Sequence, residues 1–296
     1  MFRKLLTAIF SIALLTTACA SNRITENMRI LNLKGPAKRI ISLAPSNTEI
    51  LFAVGAGDQV VGRDMFSDYP EAAKAVKDIG GSNGKYNTEE IVALKPDLVL
   101  AGEINSPELI QSMEQLGLPV FPLNNPATLE DMYSNLTVVA ELTGHSKQAG
   151  QLVDSLKKRV AAVDDKVKPL DSRLSVYYEL DATDPTKPFT AGPGTFVSLL
   201  IERAGGYNIG DSMSSQWAQI SLEQVVAANP YAIILGDSAY GVTPESVKQR
   251  PGWGGIAAVQ NNRIYTFDDN LVSRPGPRLV DGLEQLAKLL RPDLFK

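Results

Sequence analysis

A single histidine, His145, stands in a chain of 296 residues. A metal site built from imidazole and carboxylate ligands ordinarily draws on several such side chains. A Ser–His–Asp hydrolase needs its histidine beside a nucleophile in a cleft. His145 instead opens a long run of helical spacing and reads as a helix-start residue. No glycine-rich phosphate loop ending in Gly-Lys-Ser/Thr occurs. Neither catalysis, nor a metal ion held by protein ligands, nor a resident cofactor is expected.

What remains is chemistry of recognition. Trp217, in SMSSQWAQIS, has polar, loop-like neighbours. Its ring either stacks on a flat ligand or packs into its own loop. Tyr86, in SNGKYNTEE, is its expected counterpart. Phe66, Tyr69 and Tyr240 follow or flank strand ends and are expected to line a cleft. Asp64 and Asp237 end strands and can accept hydrogen bonds from a ligand's amides. Arg274 and Arg278, in SRPGPR, offer planar forks for carboxylate or phosphate groups, or else begin a solvated helix. Asn47 and Thr48, beside Pro45, either donate to a ligand from a helix start or cap that helix. Trp253, in PGWGGIAAV, reads as structural, a plug for a turn against a sheet.

The elements that must hold these residues are written twice. TEEIVALKPDLVLAGE (88–103) returns as SLEQVVAANPYAIILGD (221–237). With Pro96 set on Pro230, Glu89 meets Glu223, Ile91 meets Val225, and Gly102 meets Gly236. Each copy is a short amphipathic helix, a proline that stops it, and a strand apolar on every residue. Such a strand suits the middle of a parallel sheet covered on both faces. SNTEILFAVGAGDQVVG (46–62) likewise parallels GTFVSLLIERAGGYNIG (194–210), and LGLPVFPLN (116–124) parallels NNRIYTFDD (261–269). Three segments recurring in one order, more than a hundred residues apart, predict two α/β domains of like topology.

Between the copies no strand signal appears. Ala149, Leu152, Val153, Leu156, Val160 and Val163 fall at helical spacing, with His145 or Ser146 as cap and Pro169 as stop. The predicted organisation is an N-terminal lobe over 38–127, a helical spine over 128–170 and a C-terminal lobe over 171–296. The fold class is α/β: two Rossmann-like lobes of similar topology, joined by one long spine helix, with a ligand cleft between them.

Composition agrees with a soluble globular domain. Hydrophobic residues make up 44% of the chain and charged residues 21%, and the net charge of -4 gives no reason to expect nucleic acid as a partner. The first residues differ. MFRK is basic, LLTAIFSIALL is apolar but short, and TTAC follows, which is the layout of a secretory signal over 1–18. Cys19 is the only cysteine, so no intrachain disulfide forms. This start resembles a bacterial lipoprotein signal, although Thr16 stands where that pattern prefers Leu. The resemblance implies lipidation of Cys19 and a soluble domain tethered by residues 19–37. The other reading is an ordinary signal that leaves a free thiol.

RIISLAPSNTEILFAVGAGDQVVGR, SDYPEAA, TEEIVALKPDLVLAG, PGTFVSLLIERAGGYNI, ISLEQVVAANPYAIIL, PGWGGIAAVQNNRIY and SRPGPRLVDGLEQLA carry a wider likeness over nearly all of 38–296. The chain resembles the solute-binding proteins of bacterial ABC importers that have one rigid interdomain helix. Its nearest likeness is to the vitamin B12-binding members, through SDYP, ALKPDLVLA and QWAQISLEQVVAANPYAIIL. The resemblance implies a monomeric, exported binder on the periplasmic or outer face of the cytoplasmic membrane. It would capture a corrinoid-like metal chelate and pass it to a permease dimer with its ATPase. A ferric siderophore or heme is the alternative cargo, and an exported chelate-processing enzyme or a receptor without a transporter the alternative class. The resemblance puts an aromatic such as Trp217 on the ligand, and one carboxylate per lobe on permease arginines. Glu49 matches the first of these, though Ser46 and Glu49 also have capping-box spacing. Glu202 lies one helical turn from the usual second.

Overall fold

Unbroken apolar runs form the middle strands of two sheets, one parallel and one mixed. The structure is a computed structural model and describes residues 33–295. The signal segment and Cys19 lie outside the described residues. The chain divides into two compact units, the first running up to Asn125 and resuming over Glu130–Val153, the second holding Pro126–Leu129 and Asp154 onward.

In the first unit, strands β1 (Ile40–Ser42), β2 (Val60–Arg63), β5 (Leu98–Gly102) and β6 (Val120–Leu123) form a sheet in the order β2-β1-β5-β6. Every pair in it is parallel. β5 is buried at all five residues, as expected of a strand flanked and covered on both sides. β3 (Gly80–Ser82) and β4 (Lys85–Tyr86) make a small antiparallel hairpin. Helices α1 (Pro45–Ala53), α2 (Thr88–Ala93), α3 (Pro107–Gln115) and α4 (Leu129–Thr143) follow their strands. Ile41, Leu43, Ile79, Ile91, Val99 and Met113 are at the heart of this unit's core.

In the second unit, β7 (Leu174–Asp181), β11 (Ala232–Leu235) and β12 (Ile264–Thr266) run parallel. β9 (Gly206–Asn208) lies parallel to the first half of β7. The order β9-β7-β11-β12 thus reproduces β2-β1-β5-β6, which confirms the like topology read from the repeat. The second unit adds β8 (Phe189–Ala191), antiparallel to the end of β7, and β10 (Trp217–Gln219), antiparallel to β8. Its helices are α6 (Phe196–Arg203), α7 (Leu222–Ala228), α8 (Pro244–Lys248), α9 (Ala257–Gln260), α10 (Asn270–Ser273) and α11 (Leu279–Leu290).

The repeated helices start and stop alike. The Asn87 side chain caps α2 by accepting from the Glu90 N–H, and Ser221 caps α7 in a full capping box with Gln224. Each then turns through a left-handed residue just before its proline: Lys95 at φ 48° and Asn229 at φ 44°. Asn tolerates that conformation through its short polar side chain, whereas at Lys it costs about 1–2 kcal/mol.

The predicted spine is two helices. α4 ends at Thr143, and α5 (Ser146–Val167) then runs for 22 residues, about 33 Å. It stops two residues before Pro169, and the division between the units falls inside it. Its apolar side is buried at Ala149, Leu156, Val160 and Val163. Its second half is tied into the second unit by charge. Arg159 donates to Glu284 at 2.7–2.8 Å and also to Asp281, and Asp164 accepts from Arg203. These ion pairs hold the Arg159 guanidinium above its usual range, chiefly through the Glu284 hydrogen bond.

Candidate functional site

Ligands in open α/β sheets sit outside the carboxyl ends of the strands, where the strand order reverses. In the first unit that point lies between β1 and β5. The Leu43 carbonyl at the end of β1 accepts from the Tyr86 hydroxyl at 2.7 Å and from Asn105 Nδ2 at 3.0 Å. Asn105 also donates to the Tyr86 oxygen, and its Oδ1 accepts from the Gly102 N–H. Burial, reinforced by the nearby Asp64 charge, pushes the Tyr86 phenol up to about 12. Tyr86 therefore fastens β4 to β1 through its hydroxyl. The offset that superposes Pro96 on Pro230 sets Tyr86 on Ile220, a core residue, and Trp217 on Asn83. The expected Trp217–Tyr86 symmetry is corrected on both counts.

Three more expectations for this unit change. Asn47 is buried and its Nδ2 donates to the Leu100 carbonyl, tying α1 to β5, so it does not cap α1. Asp64 is buried and accepts from the Phe66 N–H and the Ser67 hydroxyl. Glu49 is only 2% exposed, one of five consecutive buried residues in α1. The N-cap is Ala44, with no side-chain cap bond, so the Ser46–Glu49 capping box does not form. Phe66 and Tyr69, by contrast, lie beyond β2 with exposed rings.

In the second unit Trp217 lies in an edge strand, not a loop, and is 52% exposed. It stands opposite Ala191 in the β8–β10 ladder. Alternation along each strand puts Phe189, also exposed, on the same face one diagonal step away. The pair forms an aromatic platform. Sequence reading missed Phe189, whose only signal was alternation in the short PFTA run. Tyr240 is 88% exposed, in the turn after β11. Arg274 is half-buried before α11, and Arg278 is buried at that helix's start with Asp268 3.9 Å away. Glu202 is exposed on α6.

The second unit also buries charge beside its switch point. Glu179 on β7 is fully buried and receives both arms of Arg250, at 2.7 and 2.8 Å. Arg250 lies over the Trp253 ring at 4.8 Å, and Trp253 packs on Tyr177 with centroids 5.9 Å apart. Trp253 has no exposed surface, so its structural reading holds. Asp237 is 3% exposed, and neither carboxylate oxygen has a hydrogen-bond partner among the described residues. Burial first, then the Glu179 charge, pushes its carboxyl up to about 7, against the pull of Arg250. The N–H groups of Ala182 and Asp237 itself moderate the shift without hydrogen-bond geometry. A pocket of about 520 Å³ opens here, walled by Leu180–Thr183, Asp237, Tyr240 and Val242.

The raised Asp237 carboxyl has a measurable sign. The folded state holds its proton more tightly than the unfolded chain. The stability this gives is full below the ordinary carboxylate range and is lost as pH rises through about 7. Asp237→Asn is therefore expected to be more stable than the parent at pH 8, on the order of 1–3 kcal/mol, with a flatter profile from pH 4 to 7. Urea midpoints across that range check it. An unchanged slope would mean that Asp237 does not titrate there.

The geometry is that of a binder: aromatic faces and hydrogen-bonding groups at strand ends. The model of the periplasmic binding protein family matches residues 40–271. The chain belongs to this family. As a periplasmic binding protein it is the exported solute-binding component of an ABC transporter, not an enzyme. An uncharacterized ABC transporter substrate-binding lipoprotein of Bacillus subtilis, YvrC, is 36% identical over 271 residues, spanning 90% of this chain and 84% of that protein. A vitamin B12-binding protein of Yersinia pestis is 33% identical over 254 residues, 85% of this chain and 86% of the other. The periplasmic heme-binding protein RhuT from Roseiflexus superposes with a TM-score of 0.76 at 28% identity, covering 86% of this chain and 98% of that one. Among the described residues no helix of this periplasmic binding protein is long and apolar enough to cross a membrane, and no cluster of three His, Cys, Asp or Glu is set to hold a metal ion.

Proposed function

We propose that this periplasmic binding protein captures a cobalamin-like corrinoid and delivers it to its permease and ATPase, anchored as a monomer through lipidated Cys19. The observation that carries this reading is the exposed Trp217–Phe189 platform beside the carboxyl end of β7. A flat macrocycle stacks on such a face and gains apolar burial at little entropic cost, because aromatic side chains have few rotamers to lose. Phe66, Tyr69 and Tyr240 add exposed rings at other strand ends, and Arg274 supplies a guanidinium for the corrinoid's phosphate. The likeness to vitamin B12-binding proteins supports the same cargo. Docking on the permease falls to one carboxylate per unit, Glu49 on α1 and Glu202 on α6, the latter exposed. The second reading keeps the role and changes the cargo to heme or a ferric siderophore, and the likeness to RhuT favours it.

Calorimetric titration with cyanocobalamin, hemin and a ferric siderophore panel separates the two. Cyanocobalamin is expected to saturate one site, with Trp217→Ala weakening it about 10-fold or more. Saturation by hemin or a siderophore alone would move the cargo to the second reading.

A further inference from the structure

We propose that Asp237 and the pocket around it form a subsite for a nitrogen hydrogen-bond donor of the cargo, a primary amide or an amidinium-type cation, and that it disfavours carboxylates. This rests on the reading that cargo reaches the carboxyl ends of β7 and β11. The first support is an accounting of charge. Glu179 and Asp237 are both buried, and Arg250 is the only cation paired with either among the described residues. Its guanidinium is spent on both Glu179 oxygens. The Asp237 carboxylate has no partner at full hydrogen-bond geometry among the described residues, only its own N–H and that of Ala182 nearby, an arrangement that buried polar groups rarely show.

The second support is place. Asp237 is the second residue of the turn after β11, and the pocket it walls is also walled by the end of its neighbour β7. The other titratable groups packed around it do not offset its charge. Tyr177 is buried near Glu179 and Arg250, and Tyr178 donates to Asp269 at 2.7 Å. Asp181 adds a further negative charge to the pocket wall. Tyr240 lies at the far end of the same turn. Both Asp237 oxygens lie beneath the pocket wall, so an N–H group that presses into that wall meets an acceptor with lone pairs to spare in a negative field, while a carboxylate meets like charge with no cation to spare. A chelate fringed with primary amides fits this pocket, and one fringed with carboxylates does not.

Two measurements on the purified parent and on Asp237→Asn test this. The first uses acetamidinium, which needs no knowledge of the cargo. At about pH 8.5, where Asp237 is charged, about 100 mM acetamidinium chloride should raise the parent's unfolding temperature by about 2–4 °C over equal sodium chloride, and leave Asp237→Asn unmoved. Equal shifts in the two proteins would overturn the subsite. The second is cyanocobalamin titration, where Asp237→Asn should bind about 5- to 10-fold more weakly. An acetamidinium effect without any cobalamin binding would keep the subsite and remove the corrinoid reading. Cobalamin binding that is equal in both proteins would keep the corrinoid and remove Asp237 from its contacts.

Discussion

Arg250→Met is expected to lose about 3–5 kcal/mol of unfolding free energy, because it strands a buried carboxylate. Glu179 has no exposed surface and takes both hydrogen bonds from this one guanidinium. Removing it leaves two acids, Glu179 and Asp237, inside the second unit with no neutralising charge. Methionine fills the volume of the stem, so the loss is electrostatic rather than a cavity. One further result follows for this loss. The double variant Glu179→Gln/Arg250→Met should recover much of it, because replacing a whole buried pair costs far less than halving it. Urea unfolding at pH 8 measures all three proteins. A loss below about 1 kcal/mol at pH 8 would show that the pair is solvated rather than buried.

Trp253→Ala is expected to cost about 3–5 kcal/mol through a different mechanism, a cavity in the core. The indole is fully buried among Ile220, Val225, Ile256 and Val259, and packs against Tyr177. Its Nε1–H donates to the Pro185 carbonyl at 3.3 Å, which would lose that donor. It also supports the Arg250 guanidinium at 4.8 Å. The two substitutions therefore share a neighbourhood, and their double variant should lose less than the sum of the singles. Strict additivity, read from the same urea curves, would mean that the stacking contact carries no energy.

Much of the fold was legible because it is written in local pattern. LVLAG and AIIL admit few readings other than central strands, and KP and NP after short amphipathic helices stop those helices wherever they occur. Their repetition made the shared topology visible. The α5 helix was legible from its period, but the break at Gly144 was not, since α4 carries the same helical spacing up to Thr143. Side-chain roles were less legible because they depend on pairing over long separations. Trp217 looks loop-bound until Thr190 and Ala191 are seen across the ladder. The Glu179–Arg250 pair spans 71 residues, and neither SVYYELD nor SVKQRPGW announces it. Ser46 and Glu49 have the spacing of a capping box, yet the N-cap of α1 falls two residues earlier than that box needs, at Ala44. Tyr86 and Trp217 looked equivalent by composition, while the register of the repeat itself said otherwise.

The two tryptophans have opposite surroundings, Trp253 sealed beside a guanidinium and Trp217 half open on an edge strand. The protein thereby carries two optical channels with no label added. Emission from Trp253 should be blue-shifted, beyond the reach of acrylamide, and should change only when the second unit melts. Emission from Trp217 should be red, quenchable and sensitive to whatever settles on its face. Occupancy and integrity can thus be followed separately in one cuvette, and loss of ligand need never be mistaken for loss of structure.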